Sequence, residues 1–334
     1  MINKNMDNFI KMANKSIMEA MDKLESKKGD SGMLVITNAG YGQIDNNRSV
    51  PLIDTLSELT GCTAGRGSLL GALTDCDAPV WFSIRNNTGN TVFIKWENTE
   101  FKSQIFDASP AALLEYENWK KIAEGLIGPK TLNQVGSIGS LWFRKVPWYV
   151  LKGAELHGGA CPGNFAGFFV HQYLKQNLPL GNGDHYLFVF APPTCGMDIL
   201  QLIYASSAGQ KQMLSMQFGA DKLASYISED VVTFATVIRV NQVQNICEGV
   251  ILGFDIKKAS KDAKVDFETF FPMGLKSSPL FGFSRTKVSY YLAALGFDEQ
   301  MSYISELKKF SGNSAMAQQI AGAGSDPYKV IFSA

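Results

Sequence analysis

The sequence predicts an α+β protein made of two related halves. The chain has 334 residues, which is enough for about two ordinary domains. Its 46% hydrophobic and 19% charged content is typical of a globular protein with a sizeable core. The order helix, strand, helix, strands also occurs twice along the chain, which predicts a duplicated α+β unit.

The first half opens with an amphipathic segment in which apolar residues recur at helical spacing. Short apolar runs bounded by turn residues then predict strands, and the last two are joined by a hairpin turn at 87–90. The predicted elements are a helix at 9–24, a strand at 33–37, a helix at 51–59, a glycine-rich stretch at 60–69, and strands at 80–84 and 91–95.

The second half repeats this order after a Pro at the first helical position. Its predicted elements are a helix at 162–176, a strand at 185–190, a helix at 198–205, and strands near 231–239 and 247–254.

The remaining segments are additions to the two halves. Ser109 and Pro110 predict the start of a helix over 109–126. The other predictions are a connection at 127–150, rich in Gly, Ser and Pro, that runs from one half to the other, a charged linker at 257–264, two short helices within 286–310 broken at Gly296, and a tail at 312–334 with little structure. The predicted organisation is therefore a first unit at 1–104, a connection at 105–150, a second unit at 151–258, and a C-terminal extension at 259–334.

Composition argues against several classes of partner. The 31 basic and 31 acidic residues balance, so the chain lacks the basic excess that nucleic-acid binding requires. No apolar stretch approaches the ~18 residues of a membrane span, and the first residues do not resemble a signal peptide. We therefore expect a cytoplasmic protein that binds neither nucleic acid nor membrane. Its five irregularly spaced cysteines are then expected as thiols or ligands.

The segment from His157 to Gly163 is the strongest candidate site. It places an imidazole and a thiol four residues apart, and Pro162 puts Cys161 at the N-cap of the following helix. The partial positive charge of a helix N-terminus favours a thiolate, the form that binds metals and attacks electrophiles. Three glycines in this segment leave room for a ligand or a close backbone approach.

Two further cysteines are weaker candidates. Cys195 follows a predicted strand, where loops gather functional groups, and Cys62 lies among glycines in the 60–69 stretch. A buried, inert thiol is the plain alternative for each of them, because free cysteine behaves as a small hydrophobic residue. Cys76 and Cys247 are expected to be structural.

Three segments together resemble the FmdE family, which takes its name from formylmethanofuran dehydrogenase. The family core has the form H-G-x-x-C-P-G ahead of a helix, C-G-x-D-x-[IL]-Q after a strand, and T-G-C-T-x-G-[KR]-G-[NS]-L. The matching segments here are 157–163, 195–201 and 60–69. The resemblance covers most of residues 5–100 and 150–256.

This resemblance implies α-β-α-β-β-β units with mixed sheets that pair as a dimer. Each half of this chain keeps motifs that the other lacks, so the implied arrangement is an internal pseudo-dimer with one composite site. His157, Cys161 and Cys195 are its implied metal ligands, with Cys62 as a further ligand. One imidazole with two or three thiolates suits zinc or another thiophilic transition metal. Thiolate ligation of haem by the Cys161-Pro162 pair is a weaker alternative.

The function that the resemblance implies is metal binding. One implied role is that of an accessory protein to a molybdenum or tungsten formylmethanofuran dehydrogenase-type oxidoreductase. The other is metal or cofactor handling with a partner protein. The implied assembly is a pseudo-dimeric monomer or a homo-oligomer. One alternative is a thiol enzyme with Cys161 as nucleophile, His157 as base and Cys195 as resolving thiol. The other is a cofactor-binding module or scaffold with a vestigial site.

Overall fold

The computed structural model describes residues 4–227, 232–269, 278–322 and 324–333. Their contacts define two compact units, Met1–Ala160 with Val265–Tyr290, and Cys161–Lys264 with Tyr291–Ala334. Position 231 of the predicted strand near 231–239 lies outside the described residues, as do positions 270–277, 323 and 334 of the predicted extension at 259–334.

The first unit follows the predicted order and adds four strands and several helices. Its elements up to the last strand are α1 (Lys4–Lys23), β1 (Leu34–Thr37), β2 (Gln43–Ile44), β3 (Asn47–Arg48), α2 (Pro51–Thr60), β4 (Leu69–Gly71), β5 (Trp81–Arg85), β6 (Asn90–Glu97) and β7 (Glu100–Asp107). The helices that follow are α3 (Pro110–Leu113), α4 (Tyr116–Ala123), α5 (Gly128–Phe143) and α6 (Trp148–His157). This unit also contains two described 3₁₀ turns, Ala64–Arg66 and Phe267–Thr269, and most of helix α11 (Pro279–Leu292).

The sheet of the first unit has the order β4-β1-β5-β6-β7. β4 runs parallel to β1, and every other neighbouring pair is antiparallel. All four residues of β1 are buried, which is typical of a central strand covered on both faces. The apolar stripe of α1 predicted from helical spacing, including Ala13, Ile17 and Ala20, lies in the core beside this sheet.

The second unit repeats this architecture. Its elements are α7 (Pro162–Asn177), β8 (Asp184–Phe190), α8 (Gly196–Tyr204), β9 (Met213–Ser215), α9 (Ala220–Ala224), β10 (Val232–Asn241), β11 (Ile246–Phe254), α10 (Ile256–Asp262), α12 (Phe297–Met301), β12 (Ile304–Gly312), α13 (Ser314–Ile320) and α14 (Pro327–Ser333). Helix α11 (Pro279–Leu292) precedes α12 in the chain.

Its sheet has the order β9-β8-β10-β11-β12, with β9 parallel to β8 and the other pairs antiparallel. Each position therefore corresponds to a position in the first sheet. The protein is thus α+β with two mixed five-stranded sheets, and the predicted duplication of helix, strand, helix and strands is confirmed at the level of topology.

The predicted connection at 127–150 is mostly helical. Most of it forms the long helix α5 and the start of α6. Glycines made this segment resemble a loop, but Gly136 is in the middle of α5 for a packing reason. A Cβ at Gly136 would lie 2.9 Å from the ring of Trp119, so the helix accepts glycine where α4 comes close.

Other additions are also more regular than predicted. The 109–126 helix is broken into α3 and α4, although its Ser109 N-cap is confirmed, since the hydroxyl accepts from the Ala112 N–H at 3.3 Å. The 257–264 linker is largely helix α10, and the 312–334 tail contains α13 and α14. Within 286–310, one helix begins earlier at Pro279 and the last residues form β12 instead of a helix.

In the described part of the chain, no helix combines the length and the apolar character needed to cross a lipid bilayer.

Candidate metal centre

Cys161 is the N-cap of α7, as predicted. Its backbone is extended (φ −146°, ψ 162°), and Pro162 begins the helix in the position where its missing N–H costs nothing. The side chain is 1% exposed. Cys161 therefore places a nearly fully buried sulfur at the positively polarised end of a 16-residue helix.

His157 is the last residue of α6, four positions before Cys161 in the chain. The helix ends there because Gly158 adopts the left-handed conformation (φ 71°) and donates back to the Ala154 and Glu155 carbonyls. Gly159 also has a positive φ of 133°. The two glycines reverse the chain within a few residues, so the half-buried imidazole and the Cys161 thiol come together.

Cys195 is the N-cap of α8 and lies at the end of the short loop that follows β8. It is partly exposed, unlike Cys161. The second unit thus presents two cysteines at two helix N-termini. The helix dipoles place partial positive charge near both sulfurs, and this charge favours anionic ligands.

Close packing of α7 on α8 holds the two cysteines together. A Cβ at Gly163 would lie 2.7 Å from the Cβ of Cys195, and only 3.5 and 3.6 Å from the sulfurs of Cys195 and Cys161. One turn later, a Cβ at Gly167 would lie 2.7 Å from the Gly196 carbonyl oxygen. Glycine at position 163 therefore allows the close backbone approach that the sequence predicted.

Asn164 links both cysteine backbones, and sequence reasoning missed it. Its Oδ1 accepts from the Cys161 N–H at 3.1 Å, and its Nδ2 donates to the Cys195 carbonyl oxygen at 3.2 Å. The side chain is 1% exposed. A signal was present, because an amide three residues after a helix N-cap occupies the capping-box position.

The donor atoms of His157, Cys161 and Cys195 all lie within 4.8 Å of one another. In a tetrahedral zinc site, bonds of about 2.3 Å to sulfur and 2.0–2.1 Å to nitrogen separate neighbouring donors by about 3.5–3.8 Å. Small side-chain rotations that move the donor atoms by about 1 Å bring the three atoms to that spacing. The donor set and its spacing therefore fit a thiophilic metal ion.

Cys62 does not belong to this close group of donors among the described residues. It is buried in the core cluster of the first unit, and its N–H donates to the Thr60 hydroxyl at 3.1 Å. Burial raises the pKa of the Cys62 thiol, although hydrogen bonds to Thr60 and Ser68 oppose this shift. Such an environment is typical of a structural cysteine, and the role of Cys62 as a fourth ligand stays a prediction.

Among the described residues, the other cysteines and the histidine of α7 do not belong to the three-residue group. Cys247 is buried in the core of the second unit, where burial raises its pKa, and Cys76 is exposed. His171 Nδ1 lies 2.9 Å from the Tyr204 hydroxyl, so it is a hydrogen-bonded, half-buried histidine.

Comparison with known proteins adds no family: no family model matches the chain, and no curated protein matches it either. The candidate site therefore has to be interpreted from its own chemistry.

Proposed function

We propose that this protein binds a thiophilic transition metal, zinc foremost, through His157, Cys161 and Cys195. One observation carries the proposal, namely that an imidazole and two thiols place their donor atoms within 4.8 Å of one another. Soft thiolate ligands select zinc and similar ions over hard cations such as Mg²⁺ or Ca²⁺.

The surroundings of the ligands support a site that is organised before the metal arrives. Asn164 holds the backbones of both cysteines, and Gly163 permits their close approach. Outer hydrogen bonds of this kind orient ligands and are commonly worth about 10–100-fold in metal affinity. Three protein ligands also leave a fourth tetrahedral position for water or another group, as in catalytic zinc sites.

The more specific role follows only from the motif resemblance. We propose an FmdE-like protein that serves a molybdenum or tungsten formylmethanofuran dehydrogenase-type oxidoreductase, or that handles metal or cofactor for a partner protein. The repeated strand order supports the duplication on which that interpretation depends. A reducing compartment such as the cytoplasm suits the proposal, because thiolate ligands require reduced cysteines.

Elemental analysis of protein purified without tag or chelator tests metal binding. We expect about one zinc or similar ion per chain, lost in Cys161→Ser and in Cys195→Ser. Cys76→Ser is the matched control, because it removes an exposed thiol outside the group and should keep the metal. Circular dichroism of each variant separates loss of a ligand from loss of the fold.

The same variants distinguish the thiol-enzyme alternative, which the closeness of the Cys161 and Cys195 sulfurs favours. That alternative predicts metal-free wild-type protein in which one of these cysteines is alkylated rapidly at low pH. Co²⁺ reconstitution gives a second readout. A tetrahedral thiolate site produces a sulfur-to-cobalt charge-transfer band, which should weaken in both serine variants and persist in Cys76→Ser.

A further inference from the structure

The first unit contains a second candidate site, a cavity of about 580 Å³. It lies where the Ala64–Arg66 turn, the end of β5 and the α5–α6 connection meet. This size is within the range of small-molecule sites, and it matches a ligand of mononucleotide size better than an extended polymer.

Charge in this cavity is of one sign. Its described lining includes Arg66, Arg85 and Lys145 but no aspartate or glutamate. In the part of the chain that the structure describes, none of these cations forms an ion pair with a carboxylate. The cavity therefore presents a positive potential suited to an anion.

Arg85 is the most informative of the three cations. It is only 4% exposed, and its Nη1 donates to the Gly139 carbonyl oxygen at a long 3.4 Å. Burial lowers its pKa, and Asp107 opposes that shift only through its longer-range charge. A guanidinium has five N–H donors and is costly to bury without a counter-charge, so an anion in the cavity would offset that cost.

Aromatic rings form the other part of the lining. Phe143 and Trp148 are 48% and 45% exposed, and the Arg85 guanidinium carbon lies 5.2 Å from the centre of the Phe143 ring. The Trp142 indole donates to the Gly67 carbonyl oxygen at 2.7 Å, which fixes that ring. Large exposed rings beside cations are suited to stacking on a flat, charged ligand.

We propose that this cavity binds a small ligand in which a flat heteroaromatic ring is joined to a phosphate, such as a mononucleotide. Arg85, Arg66 and Lys145 neutralise the phosphate, and the ring stacks on Trp148. Gly67 belongs to the same arrangement. Its φ is +66°, and a Cβ there would lie 3.3 Å from the Trp148 ring, so a side chain would crowd the stacking surface.

Isothermal titration calorimetry in phosphate-free buffer tests this site with two matched pairs of probes, AMP with adenosine and FMN with riboflavin. At least one monophosphate should bind about tenfold or more tightly than its dephosphorylated partner. Arg66→Gln and Lys145→Gln should each weaken binding of that monophosphate about five- to tenfold and leave its partner unchanged. Trp148→Ala should weaken both members of the pair about tenfold.

The three substituted side chains are exposed, so the variants should fold even if changes at Arg85 do not. Lys11→Gln, on the exposed surface of α1, is the control and should bind as wild type does. Cys161→Ser should also retain binding, which separates this site from the proposed metal centre. Absence of monophosphate binding, equal binding of both members of each pair, or binding of a single-stranded oligonucleotide but of neither monophosphate would overturn the proposal.

Discussion

Asn164→Ala should weaken both the fold and the proposed metal site. The substitution removes two buried hydrogen bonds, one from the Cys161 N–H at 3.1 Å and one to the Cys195 carbonyl oxygen at 3.2 Å. A buried hydrogen bond contributes about 1 kcal/mol net, and loss of one partner costs about 1–3 kcal/mol. With two such bonds, the free energy of unfolding of the metal-free protein should fall by about 2–6 kcal/mol.

The effect on metal binding is a separate readout of the same variant. Without the amide, the backbones of Cys161 and Cys195 are no longer tied to one side chain, so zinc affinity should fall about 10–100-fold. Competition with a chromophoric chelator measures this affinity, and urea denaturation of chelator-treated protein measures the stability.

Asn177→Ala is the matched control on the same helix. Asn177 lies at the other end of α7, where its amide donates to the Tyr173 carbonyl oxygen at 3.1 Å, distant in sequence from both cysteines. This variant should lose about 1 kcal/mol of stability and keep its zinc affinity. Zinc affinity of Asn164→Ala equal to that of Asn177→Ala would refute the positioning role of Asn164.

Three further predictions concern other residues. Cys62→Ala should lower the free energy of unfolding by about 1–2 kcal/mol, because it opens space in the core. Its metal content, measured by elemental analysis, should equal that of the wild type. Loss of metal would instead support Cys62 as a fourth ligand. Gly163→Ala should reduce zinc affinity, since the added Cβ would lie 2.7 Å from the Cys195 Cβ. Gly65→Ala is the control and should keep the wild-type zinc affinity, because its added Cβ meets nothing within 4 Å. Equal zinc affinities of the two variants would contradict a role for close packing at Gly163. Burial lowers the pKa of His171 from 6.5 to about 4. Between these pH values the unfolded chain binds a proton at His171 that the folded protein does not bind. Stability should therefore fall as the pH drops through that range. Denaturation midpoints should show a shallower fall in His171→Phe, and an unchanged pH dependence would exclude this cause.

Local patterns in the sequence were sufficient to predict the three central strands of each sheet. The apolar spacing of residues 9–24 predicted α1, and Pro162 correctly marked the start of α7. Turn residues at 87–90 predicted the β5–β6 hairpin, whose register pairs Arg85 with Thr91.

The sequence could not predict elements that depend on distant packing. Gly136 resembles a helix breaker until the Trp119 ring is seen beside it. Strand β12 was missed because its partner is distant in the chain, with Phe254 paired to Ile304. Pairing over such a separation is set by the tertiary fold instead of by local preference.

The candidate site was predicted more successfully than the segments around it. His157, Cys161 and Cys195 were selected from sequence, and the structure brings their donor atoms together. Asn164 was missed because its importance depends on a hydrogen bond to Cys195, 31 residues away. Arg85 was also missed, because the cavity that it lines combines residues from separate elements.

X-ray absorption at the metal edge of the purified protein identifies the atoms that hold the metal. We expect two sulfur scatterers at about 2.3 Å and at least one imidazole nitrogen at about 2.0–2.1 Å in the wild-type protein, and no bound metal in Cys195→Ser. A metal surrounded only by oxygen and nitrogen, or a spectrum unchanged in that variant, would contradict a metal centre at His157, Cys161 and Cys195.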